Sequence, residues 1–149
     1  MSYAAETKVS VERTRYEIEK ALASAGACRF AYLSDAGSAI VAFEFRNKLV
    51  RFTLPLPVSE EYALTAAKRL RSNKERLAAQ AQDHRARWRA LGLGIKAKLV
   101  FVESGIRTFE QEFLADFVMP NGKTLGESAI PQLDDAAKSG RMPTLSLSA

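Results

Sequence analysis

Two hydrophobic rhythms follow one another along the chain, a helical one at its start and a strand-like one directly after it. Ile18, Ala21, Leu22 and Ala25 recur at three- and four-residue steps, Ser10 stands where a helix cap belongs, and Gly26 follows as a terminating glycine. Residues 11–25 are therefore predicted to be helical. Three runs rich in β-branched and aromatic residues come next, over residues 28–33, 38–46 and 49–54. Val41, Phe43 and Phe45 fall on one face of the second run, Val50, Phe52 and Leu54 on one face of the third, with Arg51 and Thr53 opposite. Ser34-Asp35-Ala36-Gly37 separates the first two runs and Asn47-Lys48 is expected as a two-residue loop between the others. The pattern predicts an antiparallel meander with one apolar face in need of a cover.

Pro55 and Pro57 stop the third strand, because proline cannot donate to a ladder. Ser59 is expected to cap a helical stretch through about Leu70, and Ser72 with Glu75 has capping-box spacing at the head of a longer one reaching about Ser104. If continuous, this second stretch is about 45 Å long. Along it Ala81, Trp88, Leu91, Ile95, Leu99 and Val102 form the apolar stripe that would cover the sheet. Gly92 and Gly94 each cost about 1 kcal/mol against alanine in a helix, so they imply a close backbone approach or a break. Thr108 with Gln111 opens a short helix carrying Phe109, Phe113, Leu114 and Phe117, and Thr124 with Glu127 opens a last one, interrupted or offset at Pro131 and ended by Gly140. The expectation is one α+β domain over residues 1–149: an N-terminal helix, a three-stranded antiparallel meander, a long helix packed on the sheet and two shorter C-terminal helices. Loose ends are expected at about residues 1–9 and 142–149.

Composition changes this picture little, since 149 residues with 47% hydrophobic and 26% charged content suit one ordinary core. Cys28 is the single cysteine, which excludes an intramolecular disulfide or a cysteine-rich zinc site and suits a reducing compartment. Residues 1–8 hold no apolar run of signal-peptide length and no window reaches about 18 apolar residues, so neither secretion nor membrane spanning is expected.

Charge adds more. Between Lys68 and Lys98 stand ten Lys and Arg residues against two acids, Glu75 and Asp83, a local charge of +8 in a chain whose total is +5. Lys68, Arg69, Arg71, Lys74 and Arg76 cluster where the two helical stretches meet, and Arg85, Arg87 and Arg89 lie farther along. Cations lined along one element can neutralise consecutive phosphates and release their counterions, so these eight are the candidate nucleic-acid-binding residues. The competing explanation is a solvated helix face, although such faces usually interleave Glu and Lys four residues apart. Trp88 among the arginines has the chemistry of a base-stacking platform, but its place on the apolar stripe favours core packing; Phe30, Tyr32 and Arg51 are weaker candidates of the same kind.

Catalytic constellations are harder to find. His84 is the only histidine, which excludes paired-imidazole and multi-histidine metal chemistry, and a surface position is expected for it. Gly92-Leu93-Gly94-Ile95-Lys96 lacks the Gly-Lys-Ser/Thr of a phosphate loop. Glu103, Glu110, Glu112 and Asp116 could group around magnesium as in a nuclease, yet acids in a first helical turn are equally expected from the dipole. No cofactor and no metal are expected, and the chain is taken as non-enzymatic.

Val11-Glu12-Arg13-Thr14-Arg15, residues 51–57 (Arg-Phe-Thr-Leu-Pro-Leu-Pro), Trp88-Arg89-Ala90-Leu91 with Ile95-Lys96-Ala97-Lys98-Leu99, and residues 108–114 (Thr-Phe-Glu-Gln-Glu-Phe-Leu) resemble a family of small proteins encoded by tailed phages and prophages. That resemblance implies a phage context, hence the cytoplasm of a bacterial host cell, and brings no catalytic residues with it. The order helix, three-stranded meander, long helix is also similar in topology to the core of phage single-strand annealing recombinases, which form rings or filaments on single-stranded DNA; that is a likeness of topology, without shared motifs. Together these lead to an expected phage-type protein that binds or anneals single-stranded DNA, with a homo-oligomer as a possible form. The alternative is a protein-interaction module, such as a phage inhibitor of a host protein, whose basic surface docks on an acidic partner.

Overall fold

Ser10 accepts a hydrogen bond from the Arg13 amide and so starts α1 (Val11–Ser24), which ends at Ala25 before Gly26 turns the chain at φ +100°. The computed structural model describes residues 4–147. After α1 come β1 (Cys28–Asp35), β2 (Ser38–Phe45) and β3 (Lys48–Pro55), an antiparallel sheet in the order β1-β2-β3. The β2–β3 loop sits one residue earlier than the sequence suggested. Arg46 and Asn47 both take positive φ, +46° and +61°, which makes them the two central residues of a type I′ turn and leaves Lys48 paired with Phe45.

The register puts Ala39, Val41, Phe43 and Phe45 of β2 on the buried face together with Val50 of β3. The cover is α2 (Asn73–Glu103), capped by the reciprocal Ser72 and Glu75 bonds, together with α1. Trp88, Ile95 and Leu99 of α2 and Ile18 and Leu22 of α1 enter the same core as the sheet residues. Burying each such side chain contributes about 1.5–3 kcal/mol. No break occurs at the two glycines. A Cβ on Gly92 would lie 3.1 Å from the Thr14 methyl, so glycine there lets α1 and α2 approach, whereas nothing lies within 4 Å of the corresponding position on Gly94.

The stretch from Ser59 to Leu70 is not the helix that its cap suggested. A 3-10 turn (Ser59–Tyr62) gives way to a loop closed by an isolated bridge between Leu64 and Leu70. Local side chains explain the difference. Thr65 Oγ1 accepts from the Arg69 amide, the Thr65 amide donates to the Arg69 carbonyl, and Lys68 turns at φ +59°. The Arg71 guanidinium donates to the Tyr62 and Leu64 carbonyls at 3.0 and 2.8 Å, occupying acceptors that a helix would have used for itself.

Beyond α2 the Thr108 box starts α3, a single turn (Phe109–Glu112), followed by a 3-10 turn (Leu114–Asp116). Phe109 stacks between Phe45 and Phe113, with ring centroids 3.7 and 4.2 Å apart. The Val118 amide then donates to the Leu49 carbonyl, fastening this segment to the β3 edge. Helix α4 (Leu125–Ser139) runs through Pro131 without interruption and ends at Gly140. Where loose ends were expected, the Gln82 amide donates to the Ala5 and Thr7 carbonyls, and Gln132 exchanges hydrogen bonds with the Ser146 backbone. Residues 1–3 and 148–149 lie outside the described residues. Among the described residues no helix is long and apolar enough to cross a membrane.

Candidate nucleic-acid interface

The eight basic candidates do not share one surface. Five of them, Lys68, Arg69, Arg71, Lys74 and Arg76, surround the join between the loop and the first turn of α2, as their spacing required. Lys68 and Lys74 are exposed, and their side chains have no hydrogen-bond or ion-pair partner among the described residues. Arg69 is exposed and reaches Glu75 at 3.1 Å. Arg76 is half-buried and donates to Asn73 Oδ1 at 2.8 Å. Arg71 is committed inward to the two loop carbonyls.

Arg87 points about 200° away from Arg85 and Arg89, which stand one turn apart on the same side of the helix. Arg85 donates to Gln82 Oε1. Arg87 pairs with Asp83 at 2.8 Å and donates to the Pro55 carbonyl on the β3 side. Arg89 turns to α1, where its guanidinium meets Glu17 at 2.6 Å; Lys96 meets the same carboxylate oxygen at 3.0 Å. Those two cations, Arg89 first, hold the Glu17 carboxyl at about 2, well below its ordinary 4.5. A long line of free cations along α2 is thus absent, and what remains open is the junction.

Two acids stand at the junction: Glu60, whose carboxyl is lowered chiefly by its own backbone amide and in part by Arg76, and, among the cations themselves, Glu75. The Glu75 carboxyl is pulled down to about 2, chiefly by the Ser72 backbone amide of the capping box and then by Arg69, so it is ionised at neutral pH and offsets one of the cations. Asp83 is held below its ordinary value although burial opposes this, because Tyr62 and Arg87 both donate to it; burial and the same carboxylate push the Tyr62 phenol up.

Other candidates resolve individually. Trp88 is 2% exposed and belongs to the core. Tyr32 is half-buried and donates to the Arg15 carbonyl, while Phe30 packs on Phe43. Arg51 is tied to Gly122 and Glu127. His84 is half-buried, with its ring nitrogen 3.0 Å from the Pro57 carbonyl. Glu110 faces Arg46 and Lys48, and Glu112 lies between Lys98 and Arg107. Among the described residues no three His, Cys, Asp or Glu side chains gather as metal ligands.

Two features escaped sequence reasoning. Arg15 lays its guanidinium 4.6 Å above the Trp88 ring and 5.5 Å from that of Tyr32, with Nε buried and without a hydrogen-bond partner, beside a cavity of about 560 Å³. Leu64, Leu70 and Leu77 stand exposed beside the basic junction, Leu70 at 72%. The leucines could have been found as apolar positions off the core stripe; nothing in the spacing pointed to Arg15. No protein-family model matches the chain, and comparison with curated proteins and with solved structures finds no match.

Proposed function

We propose that the α2 junction is a nucleic-acid-binding surface and that its ligand is single-stranded DNA, bound without a catalytic step in the phage setting implied by the sequence resemblance. The observation that carries this is the grouping of Lys68, Arg69, Lys74 and Arg76 on one loop and one helical turn, with Glu75 as the acid among them and Lys68 and Lys74 unpaired. A flexible single strand can bring about three or four phosphates onto so short a patch, each neutralised cation releasing counterions. A rigid duplex would offer the same patch fewer phosphates in register. Because Arg85, Arg87 and Arg89 are engaged inside the molecule, the proposal rests on the junction and not on a groove along α2.

Replacing Lys68 and Lys74 together by glutamate should abolish binding to an unstructured oligonucleotide while leaving the melting temperature within a few degrees, since both side chains are exposed and make no hydrogen bond or ion pair. Binding that survives this double charge reversal would place the ligand elsewhere. The alternative, docking on an acidic protein, is favoured by one observation: Leu64, Leu70 and Leu77 give the junction an apolar component that phosphates do not use. Leu70→Ser separates the two, because it should leave oligonucleotide affinity unchanged and weaken a protein partner.

A further inference from the structure

The two edges of the sheet are closed differently. The β3 edge is fastened where the Val118 amide donates to the Leu49 carbonyl, and it ends in Pro55, which has no amide to offer. On β2 the turn closes on the Phe45–Lys48 pair, so Phe45, Phe43, Val41 and Ala39 direct their backbone bonds to β3, and the Leu56 amide keeps that phase by donating to the Gly37 carbonyl. Ala42 and Ile40 therefore bond β1, at Ala31 and Leu33. The amides of Tyr32 and Ser34 and the carbonyls of Phe30, Tyr32 and Ser34 are left pointing out of the sheet, and none of them has a hydrogen-bond partner among the described residues. Lysine and proline, which commonly guard an exposed edge, are absent from β1; Arg29, at φ +54°, disturbs only its start.

We propose that β1 pairs with β1 of a second copy of the chain, antiparallel about a two-fold axis at Tyr32, which joins the two sheets into one. The Tyr32 amide of each copy then donates to the Tyr32 carbonyl of the other, and each Ser34 amide donates to the opposite Phe30 carbonyl. Both outward amides of each chain thereby find an acceptor, and the contact is the same from either side, as an isologous interface requires.

Side chains select this register. Arg29 and Asp35 are the charges of β1 and stand at its opposite ends, so antiparallel pairing brings unlike charges together at both ends. Arg29 meets Glu44 of its own chain through Nη1 alone, and its side chain is 77% exposed. On the outer face Leu33, 64% exposed, comes against the small Ala31 of the other copy. Sliding the strands by two residues keeps as many backbone bonds but sets Leu33 on Leu33 and Asp35 against Ala31. A single pair of edge strands buries less than the about 800 Å² per partner of a standard stable interface, and main-chain bonds carry it, so the dimer dissociates on dilution.

Sedimentation velocity on nucleic-acid-free protein over roughly 1–300 μM tests this. The weight-average mass should rise from 16.4 kDa toward twice that value. Ser34→Pro removes an outward amide and no bond of its own ladder, so it should stay at the monomer mass, whereas Ser34→Ala keeps the amide and should associate as the wild type does. Cysteine pairs read the register without disturbing the backbone. With Cys28 replaced by serine, a mixture of Ala31→Cys and Leu33→Cys chains should oxidise to the mixed disulfide dimer, because facing residues of a non-hydrogen-bonded pair have Cα atoms about 4.5 Å apart, within disulfide reach. A wild-type protein that stays monomeric throughout overturns the proposal. So does Ser34→Pro associating as the wild type does, Ser34→Ala failing to associate, or Leu33→Cys joining to itself in preference to Ala31→Cys.

Discussion

Glu17 is the acid that ties α1 to α2, and replacing it by glutamine isolates its contribution. Its carboxylate accepts from Arg89 at 2.6 Å and Lys96 at 3.0 Å, and from Arg13 of its own helix at 3.2 Å. A carboxyl brought from 4.5 to about 2 would contribute about 3 kcal/mol if wholly removed from water. Solvent reaches it, however, with 22% of the side chain exposed, and screening reduces the expected loss to about 1–2 kcal/mol. For a chain of this length that is a fall in melting temperature of about 2–8 °C. The sign with pH follows from the lowered folded-state value. The contribution is complete above about 4.5 and is lost as pH falls toward 2, so the gap between wild type and Glu17→Gln should close over that window. Thermal melts at pH 7 and at successively lower pH measure it, with exposed Glu12→Gln as the control on the same helix. A Glu17→Gln protein that melts with the control at pH 7, or a gap indifferent to acid, would refute the reasoning.

Three more predictions concern the frame of the fold. Phe109→Ala removes the ring stacked between Phe45 and Phe113 and should cost about 3–5 kcal/mol in a urea titration. Gly94→Ala should raise the stability of the monomer by up to about 1 kcal/mol, while Gly92→Val should lower it, because the added side chain meets Thr14 and Ile18 of α1; melts of dilute protein compare them. Arg71→Ala releases the Tyr62 and Leu64 carbonyls and should make the chain between Tyr62 and Arg71 the first site of limited proteolysis, with a stability loss of about 1–2 kcal/mol.

The elements that repeat a pattern were legible in the sequence. The alternation of Val41, Phe43 and Phe45 fixed which sheet face is buried, and the Ser10, Ser72, Thr108 and Thr124 caps marked four helix starts, because both signals are local and periodic. The Ser59 cap misled for a local reason too: Thr65 and Arg71 capture backbone groups that a helix would have kept, and the arginine acts from nine residues away. The candidate site was half legible. Composition located the cations, but whether each faces water depends on acids distant in sequence, such as Glu17 for Arg89, which no spacing rule connects. Lys68, at a positive φ in the loop, and Lys74, in the first turn of α2, stayed open, whereas Arg87 did not because Asp83 lies one turn before it.

A salt titration tests the central claim most directly: fluorescence anisotropy of a labelled, unstructured oligonucleotide, with a matched duplex beside it. With Lys68, Arg69, Lys74 and Arg76 on four phosphates, log affinity for the single strand should fall with log salt at a slope of about −3, and the duplex should bind more weakly. No binding at low salt, or an affinity indifferent to salt, would contradict it.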